Sequence, residues 1–271
     1  MFKEKLKKYT QNKNSLLCIG LDCDIRKIPP FLLEEDDPLF TFNREIIEAT
    51  ADLAIAFKPN IAFYETLGPT GWHLLEKTLE YIPGDCLVIA DAKRGDIGNS
   101  ARKYADLYFQ SYSFDAITVS PYMGYDSIQP FIEYDDKATF VLCLTSNSGS
   151  HDFQYLNSGS EPLYLKIARK VSEWNLEKGN CGLVVGATHP ENLSSIREVS
   201  PQLPLLIPGI GTQGGNLKLT VQYGTDEKGE GALINVSRSI IYASPDENFA
   251  EAARDKALEY KHAINAIRKV K

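Results

Sequence analysis

CLVIADAKRGDI, residues 86–97, opens as an unbroken apolar run and closes in a dense cluster of charge. A strand with one wet face alternates apolar and polar side chains, whereas a strand covered on both faces by crossover helices stays apolar throughout. Seven more runs share this character: LLCIGLD (16–22), AIAFKPN (54–60), AITVSPY (116–122), TFVLCLTS (139–146), CGLVVGAT (181–188), PLLIPGIG (204–211) and GALINVSR (231–238). Within 86–97 the strand itself is expected over 86–93. Between the runs, SARKYADLYFQSY (100–112), PLYLKIARKVSEWNLEK (162–178) and FAEAARDKALEYKHAINAIRK (249–269) carry the spacing of amphipathic helices. Eight βα units in series predict a single (β/α)8 TIM barrel, and an open doubly wound sheet is the runner-up, since eight parallel strands can also stay open. No Pro/Gly/Ser-rich linker or shift of composition divides the chain, so one domain is expected over 1–271.

The 271 residues, 43% of them apolar, are enough for a large core. MFKEKLKKYT at the start mixes charged and apolar positions, so no signal peptide is expected, and no apolar run approaches the ~20 residues needed to cross a bilayer. Five cysteines (Cys18, Cys23, Cys86, Cys143, Cys181), lacking paired metal-ligand spacing, read as buried reduced thiols of a cytoplasmic protein. A net charge of −7 argues against a broad surface for nucleic acid, and an anionic ligand would need a local, organised pocket.

Barrel active sites lie at the C-terminal ends of the strands, so the last residues of each run are the candidates. Asp22 ends the first run, Lys58 lies near the end of the second, and Asp91 and Lys93 close the third with Asp96 just beyond. Ser146 ends the fifth and Arg238 the eighth. Charges at the ends of apolar strands are costly unless paired or used. Residues two apart on a strand share a face, so Asp91 and Lys93 are expected to project together into the barrel mouth. An ammonium held among carboxylates stays protonated and can deliver a proton, which suits chemistry that makes a carbanion. On this segment alone, a structural salt-bridge network remains the bland alternative. The seventh run leads into PGIGTQGG (208–215), whose glycines let backbone N–H groups approach an anion, with Gln213 offering an amide. Coupled to Ser237 and the planar donor Arg238 on the next strand, this loop predicts a phosphate site. The four His are dispersed, no HExxH or paired CxxC occurs, and Lys93 between Asp91 and Asp96 competes with a cation for the same oxygens, so no metal is expected. NSGSHDFQYLNSGSEP (147–162), the longest irregular stretch, follows the fifth strand, where it reads as a lid over the catalytic end or as a disordered insertion.

DAKRGDI, with Asp22, Lys58, PGIGTQGG and SRSI in barrel order, closely resembles the orotidine 5'-monophosphate decarboxylases, particularly their longer bacterial form, from about residue 16 to 240. The resemblance implies a cofactor- and metal-independent carboxy-lyase of pyrimidine nucleotide biosynthesis that turns orotidine 5'-monophosphate into uridine 5'-monophosphate and CO2. It further implies that Lys58, Asp91, Lys93 and Asp96 form an alternating charge array, with Asp96 and Ile97 supplied by the neighbouring subunit of a homodimer. Asp22 and Lys58 would contact the ribose, Ser146 the pyrimidine, Pro208 would wall the base, and Gln213 with Arg238 would hold the phosphate. Ser100 stands where compact members carry Thr, keeping the hydroxyl, and Ser237 where they have Gly before the Arg. The loop after the seventh strand is short here and that after the fifth is long. A Mg-dependent sugar-phosphate decarboxylase or aldolase of similar architecture is the enzymatic rival. A catalytically silent phosphate sensor would keep Gln213 and Arg238 but has no use for Lys93 between two Asp.

Overall fold

The computed structural model describes residues 1–268; Lys269 of the expected last helix, and 269–271 of the expected single domain, lie outside the described residues. The eight apolar runs become strands β1 (Leu17–Leu21), β2 (Ala56–Pro59), β3 (Leu87–Arg94), β4 (Ala116–Val119), β5 (Ala138–Leu144), β6 (Cys181–Val185), β7 (Leu205–Ile207) and β8 (Ala232–Val236). Each pairs in parallel with its neighbours in chain order, and β8 returns to β1, closing a (β/α)8 barrel.

The strands are shorter than the apolar runs because their last residues leave the ladder to build the mouth. In PLLIPGIG only Leu205–Ile207 are strand, since Pro208 lacks an N–H and Gly209 and Gly211 take φ of 106° and 88°, outside the β region. The helices follow their apolar stripes. Leu163–Lys178 buries Tyr164, Ala168, Val171 and Asn175 on one face, starts after Pro162 and ends at Gly179, whose φ of 72° suits the left-handed cap. The expected 100–112 helix runs from Gly98 to Asp106 and then loosens into a π turn over Leu107–Ser111. The last helix spans Phe249–Arg268.

Two apolar layers result. One lies between barrel and helices; the other fills the barrel interior, where Phe2 of the helix Phe2–Lys13 packs against Phe140 with ring centroids 5.9 Å apart. That helix closes the end opposite the strand termini that carry the charges, and truncating so buried a ring costs roughly 3–5 kcal/mol. All five cysteines are free and buried. No helix among the described residues is long and apolar enough to cross a membrane.

Candidate active site

Lys58, near the end of β2, is only 3% exposed, and its Nζ lies 2.5 Å from Asp91 Oδ2 on β3. Lys93 Nζ donates to the other oxygen of the same carboxylate, Oδ1, while half of its side chain faces the open mouth. Burial pushes the Asp91 carboxyl up, but the charges and hydrogen bonds of Lys58 and Lys93 more than offset this and hold it well below the usual carboxylate range. Burial pushes Lys58 down, and the charges of Asp91 and Asp22 with the Asp91 hydrogen bond raise it above an ordinary lysine. The pair is therefore ionised at neutral pH, one ammonium sealed beneath the carboxylate and one displayed above it.

The expected meeting of Asp91 and Lys93 occurs, but by a different route than simple alternation along a strand. β3 pairs with β4 at Ala90↔Ile117 and next at Arg94↔Val119, so Asp91, Ala92 and Lys93 bulge out opposite Thr118 alone. Lys93 takes φ of 48°, a left-handed conformation rare for a side chain of its kind. Asp22, just past β1, has a buried Oδ1 with no hydrogen-bond partner among the described residues, an unsatisfied acceptor near the site. Its loop is fixed by Tyr242, whose hydroxyl donates to Asp22 O at 2.8 Å and accepts from Asp24 N at 2.8 Å.

Asp96, Ile97 and Ser100 do not join this array within the chain. The Asp96 carboxylate accepts from Ile97 N at 2.8 Å and forms no ion pair among the described residues, Ile97 is 55% exposed, and Ser100 is exposed.

Across the mouth, the loops after β5, β6 and β7 converge. A Cβ at Gly209 would stand 3.1 Å from Gln213 Oε1 and 3.2 Å from Ser146 Oγ, so the missing side chain lets these two polar groups share one side of the loop. Gly186 performs the same service for Ser146, whose Oγ would lie 2.4 Å from a Cβ there. Half-buried Pro208 accepts through its carbonyl from Ala187 N at 2.8 Å, tying the β6 and β7 loops together. Ser237 nests against Gly20, where any Cβ would come within 1.8 Å of its Oγ, and receives Asn235 Nδ2 at 3.3 Å. Arg238 follows at the start of the short helix Arg238–Ile241, exposed, and its guanidinium has no hydrogen bond or ion pair among the described residues.

The 147–162 stretch is folded. It holds a helical turn (Ser150–Phe153) and a small hairpin pairing Asn157–Ser158 with Glu161–Pro162. Gln154 pins it to the end of β5, donating to Thr145 Oγ1 and accepting from Thr145 N, each at 2.8 Å, and His151 stacks on Tyr155 at 4.4 Å. It is thus a wall beside Ser146, not a detached insertion. Among the described residues no group of three or more His, Cys, Asp or Glu is placed to hold a metal ion. Thr118 and Asn235 escaped the sequence reading. Both are polar residues inside apolar runs, and only the strand pairing shows that they underlie Lys93 and Ser237.

The profile of the orotidine 5'-phosphate decarboxylase / HUMPS family matches residues 15–253. The orotidine 5'-phosphate decarboxylase of Christiangramia forsetii is 50% identical over 260 residues, 95% of each chain. Among solved structures, Leishmania donovani OMP decarboxylase superposes with a TM-score of 0.87 at 41% identity, covering 98% of both chains. Leishmania donovani UMP synthase gives 0.89 at 43% identity over 98% of this chain, which spans 56% of that longer protein. With a matched profile over most of its length and near-full-length relatives at this identity, the chain belongs to the orotidine 5'-phosphate decarboxylase / HUMPS family.

Proposed function

We propose that the chain decarboxylates orotidine 5'-monophosphate, taking up one proton at C6 and releasing CO2 to leave uridine 5'-monophosphate, with Lys93 as the group that makes the step possible. The carrying observation is the Lys93 ammonium, held on Asp91 at the open mouth above a second, buried ammonium. Cleavage of the bond from C6 to the carboxylate leaves an electron pair at C6 that the pyrimidine ring delocalises poorly. A fixed ammonium beside that carbon stabilises the pair as it forms and then transfers a proton to it. The array is organised before substrate arrives, because Lys58 and Asp91 are already locked together, so little reorganisation is left for the transition state. Asp91 beside the substrate carboxylate adds ground-state repulsion that departing CO2 relieves.

The remaining residues hold the substrate. Asp22, with its unpartnered oxygen, and Lys58 take the ribose hydroxyls, Ser146 the pyrimidine edge, and Pro208 one face of the base. Gln213, Ser237 and Arg238 take the phosphate, whose binding energy is used to close the site around the reacting carbon. Asp96 and Ile97 complete the array of a second copy in a homodimer, with Ser100 following them on the same helix start. The chain acts as one domain and, with five buried free thiols, in the cytoplasm. No metal or cofactor takes part, the positive charge being that of Lys93. The test is loss of the orotate absorbance when purified protein meets orotidine 5'-monophosphate. Persistence of the chromophore at high enzyme concentration refutes the assignment.

A further inference from the structure

Thr118 sits in the middle of β4 and is 1% exposed. It is the single residue opposite the three-residue bulge of β3, and both polar functions of its hydroxyl are engaged there. Lys93 N, which the bulge deprives of a ladder partner, donates to Thr118 Oγ1 at 3.0 Å. The same hydroxyl donates its proton to Asp91 Oδ1 at 3.3 Å, the oxygen that also receives Lys93 Nζ. A closed ring of contacts results: Lys93 backbone to Thr118, Thr118 to Asp91, Asp91 to the Lys93 ammonium. The left-handed backbone of Lys93 is unfavourable for such a residue and persists only where its surroundings over-determine it. The ladder resumes immediately afterwards, with Ser120 N donating to Arg94 O at 2.8 Å, so the distortion is confined to the residues that Thr118 holds.

We infer that Thr118 is a positioning residue of the decarboxylation: its hydroxyl fixes the height and direction of the Lys93 ammonium by clamping the Lys93 backbone and the Asp91 carboxylate together. This role rests on the decarboxylase reading above. Valine matches threonine in shape but can neither accept from Lys93 N nor donate to Asp91, so the bulge is free to relax and Lys93 to shift. A displacement of about 1 Å at a catalytic group costs on the order of a hundredfold in rate.

The test compares wild type, Thr118→Val and Thr118→Ser. It measures kcat and KM for orotidine 5'-monophosphate, and affinities for product uridine 5'-monophosphate and for 6-hydroxyuridine 5'-monophosphate, whose anionic oxygen on C6 probes the Lys93 charge. Thr118→Val is expected to lose on the order of a hundredfold in kcat with KM nearly unchanged. Its affinity for the 6-hydroxy analogue should fall in parallel while product affinity stays as in wild type, and Thr118→Ser should restore both. If Thr118→Val is unfolded at the assay temperature, Thr118→Ala is read in its place. A folded hydroxyl-free variant with wild-type kcat overturns the positioning role, as does equal weakening of product and analogue, or a serine variant as impaired as valine. A wild-type chain unable to decarboxylate overturns the functional reading and the positioning role with it. An active wild type beside an unaffected valine variant overturns the positioning role alone.

Discussion

Lys58 and Lys93 grip the two oxygens of one carboxylate, yet their removal should have unequal consequences for folding. Lys58 is buried with its Nζ 2.5 Å from Asp91, and the side chains of the pair are only 4% and 12% exposed. Taking one partner from a buried pair typically costs 3–5 kcal/mol. Asp91 would still keep Lys93 and Thr118, so Lys58→Met is expected at the lower end, about 3 kcal/mol. Lys93 is half exposed and its loss leaves Asp91 paired with Lys58, so Lys93→Met should cost no more than about 1 kcal/mol. Turnover reverses the order of interest: Lys93→Met loses both the proton donor and the stabilising charge, on the order of ten-thousandfold or more. Asp91 lies below its unfolded value, so its share of stability is present above about pH 4 and is lost as pH falls through the folded value. Lys58 lies above its unfolded value, so its share is present below about pH 10 and is lost as pH rises through the folded value. The stability gap between wild type and Lys58→Met should therefore be level from about pH 5 to 9 and shrink outside that window. Urea unfolding across pH, with decarboxylation followed at high enzyme concentration, measures both quantities. Equal destabilisation by the two substitutions, or a Lys93→Met enzyme with near-normal kcat and only a raised KM, would refute the reasoning.

Arg238→Ala should leave stability unchanged, since the guanidinium has no partner among the described residues, yet weaken phosphate-bearing ligands by about 2–5 kcal/mol. Equal losses of kcat/KM for orotidine and for its monophosphate would remove Arg238 from the phosphate site. Exhaustive EDTA treatment should leave activity intact, because the charge at C6 belongs to Lys93; activity lost to EDTA and restored by Mg2+ would point to the metal-dependent rival. Inactive Lys93→Ala and Asp96→Ala chains, mixed, unfolded and reassembled, should recover roughly a quarter of wild-type activity, since half the dimers are mixed and each holds one intact site. No recovery, with subunit exchange verified, would place Asp96 outside a shared site.

The barrel was legible because burial on both faces writes a strand as an unbroken apolar run, and all eight runs fall where strands form. Their ends were overdrawn: Pro208 and the glycines at 209 and 211 look like strand continuation in composition, but their backbone geometry turns them into loop. The charged residues were conspicuous for a related reason, since Lys58, Asp91 and Lys93 interrupt apolar runs where a bland chain would place none. Of the two readings of the 147–162 stretch, the structure overturns the disordered insertion, which rested on composition. Ser, Gly and Asn suggest slack, while the bonds that order it run from Gln154 back to Thr145, a pairing no local pattern announces. The environment of Asp96 was not legible from one chain, nor does one chain supply a partner for it.

β3 carries the sharpest contrast between what pattern conveys and what geometry adds. On a straight strand, residues two apart share a face with backbones about 6.6 Å apart, so alternation alone would set Asp91 and Lys93 side by side. The bulge instead swings Lys93 into a left-handed turn, and its ammonium folds back onto the carboxylate that Lys58 already holds from beneath. Glycine or asparagine commonly advertises such a turn, but a lysine does not, and the threonine that braces it is an ordinary strand residue. The arrangement is therefore braced by two long-range hydrogen bonds from one β4 residue to β3 and not by local preference. This is why the charges could be named from the chain while the means of aiming them could not.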